Sequence, residues 1–135
     1  MATQVAYPTG RVTAFNVGVG LSDISLLASG NGWSAATLTA RAGGGQALAT
    51  PLLSAVNLIA VCATAADSVR LPPAMGGQVM WLSNGGAAAS QVFAAPTTTD
   101  TINGVAGSTG ISIGAGKSTV LMSPLQGAWF SVISA

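Results

Sequence analysis

The feature that most limits how this chain can fold is the spacing of its breakers. Eighteen glycines and six prolines fall among 135 residues and leave few uninterrupted windows. A helix interior tolerates them poorly, at about 1 kcal/mol for glycine and about 3 kcal/mol for proline relative to alanine. Short apolar runs bounded by Gly, Pro and Asn read instead as strands. The chain is thereby steered to an all-β fold.

The second half shows the pattern best. Val56–Ala63 is strongly apolar and reads as a strand buried on both faces. Asp67–Leu71 alternates around Val69 and stops at Pro72-Pro73. Gly77–Ser83 carries Val79, Met80, Trp81 and Leu82 and reaches Asn84-Gly85, a hairpin-turn signal that Ser90–Ala94 answers. Thr101–Asn103 leads into a glycine-rich loop, and Ile111 and Ile113 share one strand face. Lys117–Met122 and Ala128–Ile133 are the last strands. About eight short strands at roughly ten-residue spacing predict a sandwich, jelly roll or barrel.

The first part is less regular. Met1–Arg11 reads as extended, and Val12–Val19 alternates around Phe15. Ser22-Asp23 ahead of Ile24–Ala28 suits the cap of a short helical turn. Trp33–Ala42 reads as a strand, and Gln46–Ser54 fits either a helical turn or a loop. The flexible break Gly43–Gly45 places a boundary between an N-terminal arm and partly extended segment, 1–45, and a β-sandwich domain, 46–135.

Charge narrows the function classes. Only 5% of residues are charged, against roughly 25% in an average soluble domain. A surface so poor in charge is kept in solution most simply by burying much of it against partners. The basic residues Arg11, Arg41, Arg70 and Lys117 stand singly and the net charge is +1, so no phosphate-binding cluster exists and no nucleic-acid partner is expected. Leu52–Ala66 is the longest apolar stretch, but Ser54, Asn57 and Thr64 interrupt it. It falls short of the roughly 20 residues of a spanning helix, so no membrane partner is expected. Met1–Arg11 lacks the basic and apolar regions of a signal peptide, which points to synthesis in a cytoplasm.

The search for chemistry returns little. The chain has no histidine and no glutamate, and Asp23, Asp67 and Asp100 lie far apart. Acid–base catalysis and zinc binding both rest on residues this chain cannot supply at useful spacing. The expectation is no enzyme, no catalytic residue, no metal and no cofactor. Cys62 reads as a small buried hydrophobe. Gly110–Thr119 (GISIGAGKST) resembles a phosphate-binding P-loop, but the first glycine of that pattern would fall on Ile111. A strand, not the required helix, is expected after Lys117, so Gly114–Gly116 reads as a β-turn. Asp67 and Asp100 adjoin turn signals, where a carboxylate usually accepts hydrogen bonds from local backbone.

An ordered succession of short motifs carries a resemblance. Thr64-Ala65-Ala66-Asp67-Ser68-Val69-Arg70-Leu71-Pro72 is followed by Gly77-Gln78-Val79, Leu82-Ser83-Asn84-Gly85-Gly86 and Gln91-Val92-Phe93. Asp100-Thr101-Ile102-Asn103-Gly104, Gly116-Lys117-Ser118 and Gly127-Ala128-Trp129 complete it. Over about residues 56–133 this resembles small β-sandwich modules of tailed-bacteriophage virions, especially head decoration (cement) proteins. The resemblance implies a jelly-roll-like antiparallel β-sandwich with an extended N-terminal arm. It also implies a trimeric homo-oligomer on the outer capsid surface of the virion, bridging subunits of the major capsid protein. Tyr7, Arg11 and Phe15, the large side chains of the arm, are the candidate partner-binding residues. A phage tail or fibre component and a lectin-like host-binding β-module are the alternatives. Trp81, Phe93, Trp129 and Phe130 are the large groups available to a core or an interface, with core packing the simpler role.

Overall fold

Two strands joined across a buried core recur three times along the chain, and each recurrence stacks on the one before. The computed structural model describes residues 34–135; the chain divides into a unit ending at Ser34 and a compact unit, Ala35–Ala135. The first coil comprises β1 (Ala35–Thr39), a single helical turn α1 (Gly45–Leu48) and β2 (Thr50–Pro51). The second comprises β3 (Val56–Val61) and β4 (Ser68–Arg70), and the third β5 (Gln78–Asn84) and β6 (Ser90–Phe93). Along one wall β1, β3 and β5 pair in parallel, with Ala35 beside Val56 and Val56 beside Trp81. Along the other wall β2, β4 and β6 pair in parallel, with Thr50 beside Val69 and Val69 beside Val92.

The rest of the chain turns back on this stack. After the hairpin β7 (Thr101–Ile102) and β8 (Val105–Ala106), β9 (Ile111–Ile113) pairs antiparallel with β6. Then β10 (Ser118–Leu125) pairs antiparallel with β5 and with β11 (Ala128–Ile133), which lies parallel to β7. The result is a seven-stranded sheet in the order β1-β3-β5-β10-β11-β7-β8 and a four-stranded sheet in the order β9-β6-β4-β2.

This is a β-solenoid of stacked coils with mixed sheets, and it overturns the expected jelly-roll antiparallel sandwich. The reason is that period-2 alternation reports which way side chains point and is silent on which strand lies alongside. Parallel neighbours require a crossover, and here each crossover is a strand of the opposite wall. Asn84-Gly85 accordingly closes no hairpin. It is the corner between walls, where Gly85 N–H donates to Ile59 O of the preceding coil at 2.8 Å. Asn103-Gly104 does close a hairpin, with φ values of 53° and 80° joining β7 to β8.

The core fills the space between the walls. Leu52, Ile59, Val69, Leu71, Leu82, Val92, Ile102, Ile113, Leu121 and Trp129 are fully buried there. Val56–Val61 alternates exposed and buried at Val56, Asn57, Leu58 and Ile59, so the expectation of burial on both faces is also corrected.

Coil packs closely on coil at Gly86. A Cβ there would stand 2.5 Å from Cys62 Cβ and 2.6 Å from Cys62 N, backbone that cannot yield without separating the second and third corners. Gly86→Ala is expected to lower stability by about 2–3 kcal/mol, the upper range for overpacking a close contact. Chemical denaturation of both proteins checks it.

Candidate functional site

Outside the core, the two walls differ sharply. The four-stranded wall is partly covered by the α1 segment: Arg70 Nη1 donates to Ala47 O at 2.7 Å, Ser68 Oγ to Gly45 O at 3.3 Å and Gln46 Nε2 to Ala94 O at 3.1 Å. The seven-stranded wall shows no such cover among the described residues. Its strands contain no charged residue.

Register turns the outer face of that wall into rows. Ala35, Val56, Trp81, Val120 and Val132 lie side by side across five strands. One step along the strands, Val79, Met122 and Phe130 form a second row. One step the other way, Thr37, Leu58, Ser83 and Ser118 form a third, tied by a 2.8 Å hydroxyl contact between Ser83 and Ser118. Val56, Leu58, Val79, Trp81, Met122, Phe130 and Val132 are 38–63% exposed, a contiguous apolar face that no other described residue covers. Val79, Met122, Pro124 and Phe130 line a hollow of about 520 Å³ in it.

Trp81, Trp129 and Phe130 are each available in the sequence to a core or an interface, with core packing the simpler expectation, and the structure separates them. Trp129 is fully buried and its Nε1–H donates to Pro72 O at 3.3 Å, whereas Trp81 and Phe130 stand on the open face. The signal that marks such a face is present in the sequence. Both parities of Gln78–Asn84 and of Ala128–Ile133 are apolar, as in a strand with apolar contacts on either side. Tyr7, Arg11 and Phe15, the helical turn at 24–28 and the extended arm lie outside the described residues.

The polar side chains serve the fold. Asp67 Oδ2 accepts the Ala63 and Thr64 N–H groups at 2.7 and 3.2 Å, and Oδ1 accepts Thr64 Oγ1–H at 2.7 Å. These bonds, the Thr64 hydroxyl first, hold its carboxyl below the usual carboxylate range. Asp100 reaches farther than the expected local turn, accepting Ala74 N–H at 2.7 Å. Cys62 is buried and its Sγ–H points to Ala89 O at 3.3 Å; burial first, then the neighbouring Asp67 charge, pushes its thiol up. Gly114–Gly116 forms the expected turn, with Lys117 N–H donating to Gly114 O, and a strand follows it. No group of three or more His, Cys, Asp or Glu converges among the described residues, and no described helix is long and apolar enough to cross a membrane.

The Asp67 geometry predicts a pH response. A carboxyl depressed in the folded state contributes stability that is fully present above its unfolded value of about 4 and is lost as pH falls through the lower folded value. Asp67→Asn should therefore lower the melting temperature at neutral pH. The gap to the natural chain should narrow steadily as pH is lowered below about 4. A gap unchanged from pH 7 to pH 2.5, followed by thermal melts, would contradict this account of the corner.

No protein-family model, no curated protein and no solved structure matches the chain.

Proposed function

We propose that this chain is a non-catalytic structural protein that works by packing against other protein chains. The observation that supports it is the uncharged apolar face of the seven-stranded wall. An open apolar patch of this extent lies at the upper end of what monomers expose and often marks a protein contact.

Within that class, the motif succession over residues 56–133 favours a virion protein on the outer surface of a phage capsid. There it would stabilise the shell by bridging subunits of the major capsid protein. The support here is the order of the motifs; the sandwich fold that the resemblance implies is not the fold of this chain. Repeated copies on a symmetric shell would add modest contacts into a strong attachment. A reconstruction of the intact particle tests the proposal. Ordered density on the outer shell at joints between capsid subunits is expected, and density inside the shell, or none, overturns it.

The stacked coils favour one second reading, a tail or fibre component, because a solenoid lengthens by adding coils of the same kind. Density on the tail would select it. Tyr7, Arg11 and Phe15 are proposed as the anchors of the N-terminal segment on the shell. Deleting residues 1–16 should weaken binding to purified capsids by at least about tenfold, the scale of losing one good anchor. Co-sedimentation measures it, and undiminished binding removes these residues from the role.

A further inference from the structure

The open face carries both halves of a contact. Trp81 projects from β5 and is 46% exposed. The next outward position on the same strand, Val79, already belongs to the hollow completed by Met122, Pro124 and Phe130. Same-face neighbours on a strand are about 7 Å apart, so the projection and the hollow are adjacent. The hollow is shallow and open, with about 520 Å³ of space over an apolar floor, so an indole ring can lie flat in it against Val79, Met122 and Phe130.

From this we infer that the partner of the face is a second copy of this chain, paired about a two-fold axis between Trp81 and the hollow. Each copy's Trp81 then enters the hollow of the other. A two-fold contact requires a surface complementary to itself, and an adjacent projection and hollow satisfy that requirement. Charge gives an independent argument. Two-fold pairing brings each face against its own copy, so any charge near the axis would meet the same charge, and the strands of this wall carry none.

Area agrees. Seven large side chains at 38–63% exposure leave on the order of 600 Å² open, and Ala35, Thr37, Ser83, Ser118 and Val120 extend the face. That approaches the roughly 800 Å² per partner of a standard interface. The two walls would pack at the usual sheet-to-sheet spacing of about 10 Å.

The inference rests on reading the face as a protein contact, and the following measurement separates the two. The full chain is examined by sedimentation velocity from about 1 to 100 μM, a range spanning ordinary homodimer affinities. The natural chain should sediment at twice its 13.1 kDa mass. Trp81→Glu, and separately Met122→Lys in the hollow, should weaken association by at least about 100-fold, the scale of losing a central aromatic anchor. Both side chains point outward, so circular dichroism should be unchanged, and the second variant decides if the first misfolds. A natural chain that stays monomeric throughout overturns the inference. So does a trimer, the order the resemblance implies, or any oligomer that survives both substitutions. A monomer whose capsid binding is lost with either variant overturns it too, while leaving the proposed function standing with the shell as occupant.

Discussion

Replacing Trp129 with alanine is expected to lower the unfolding free energy by about 3–5 kcal/mol, the range for truncating a large aromatic in a packed core. The residue is fully buried between the walls. Its loss would open a cavity in the core beside its register partner Ile102 and leave Pro72 O without its indole donor. Trp81→Ala should behave differently, because Trp81 lies on the open face. Its cost to the isolated chain should stay near 1 kcal/mol, as for a half-exposed side chain. Any further cost should grow with protein concentration, since association stabilises whatever it buries. Urea unfolding at two protein concentrations distinguishes the residues. A Trp129→Ala cost below about 1 kcal/mol would mean the two walls do not close on that side chain.

Asn84→Leu should be nearly as costly, at about 3 kcal/mol or more, although the replacement is apolar and of similar size. Asn84 Nδ2 donates to Ala88 O at 2.8 Å and to Ile113 O at 2.9 Å, and Oδ1 accepts Gly86 N–H at 3.0 Å. One buried amide thus ties the corner of the third coil to β9, where the chain turns back. Leucine would fill the space but remove the buried bond to Ile113 O and the two half-buried bonds to Ala88 O and from Gly86 N–H, and an unsatisfied buried group costs about 1–3 kcal/mol. Equilibrium denaturation measures the loss. Hydrogen exchange should show it concentrated at 84–90 and 111–113, and a uniform loss across both walls would contradict this role for the corner.

Much of this molecule is present in the sequence as local pattern. Gln78–Asn84, Ser90–Phe93 and Ala128–Ile133 form strands where alternation and flanking breakers place them. Asp67 accepts hydrogen bonds from local backbone as its place beside a turn signal suggests, and Gly114–Gly116 turns where a phosphate loop would have needed a helix. These features depend on contacts a few residues apart, so the sequence by itself determines them. Strand partners do not. Val56 lies beside Trp81 because the chain makes a full circuit through β4 between them, and alternation reads the same whether that neighbour is parallel or antiparallel. Asn84-Gly85 is a corner, not a hairpin, because Gly86 must pass against Cys62 of the coil below. The candidate site belongs to this second kind: its residues are ordinary strand positions until stacking brings Val56, Trp81, Val120 and Val132 into one row. Face and turn are local properties of the chain, while neighbour and exposure are set by packing between segments far apart in it, and only the tertiary structure decided those.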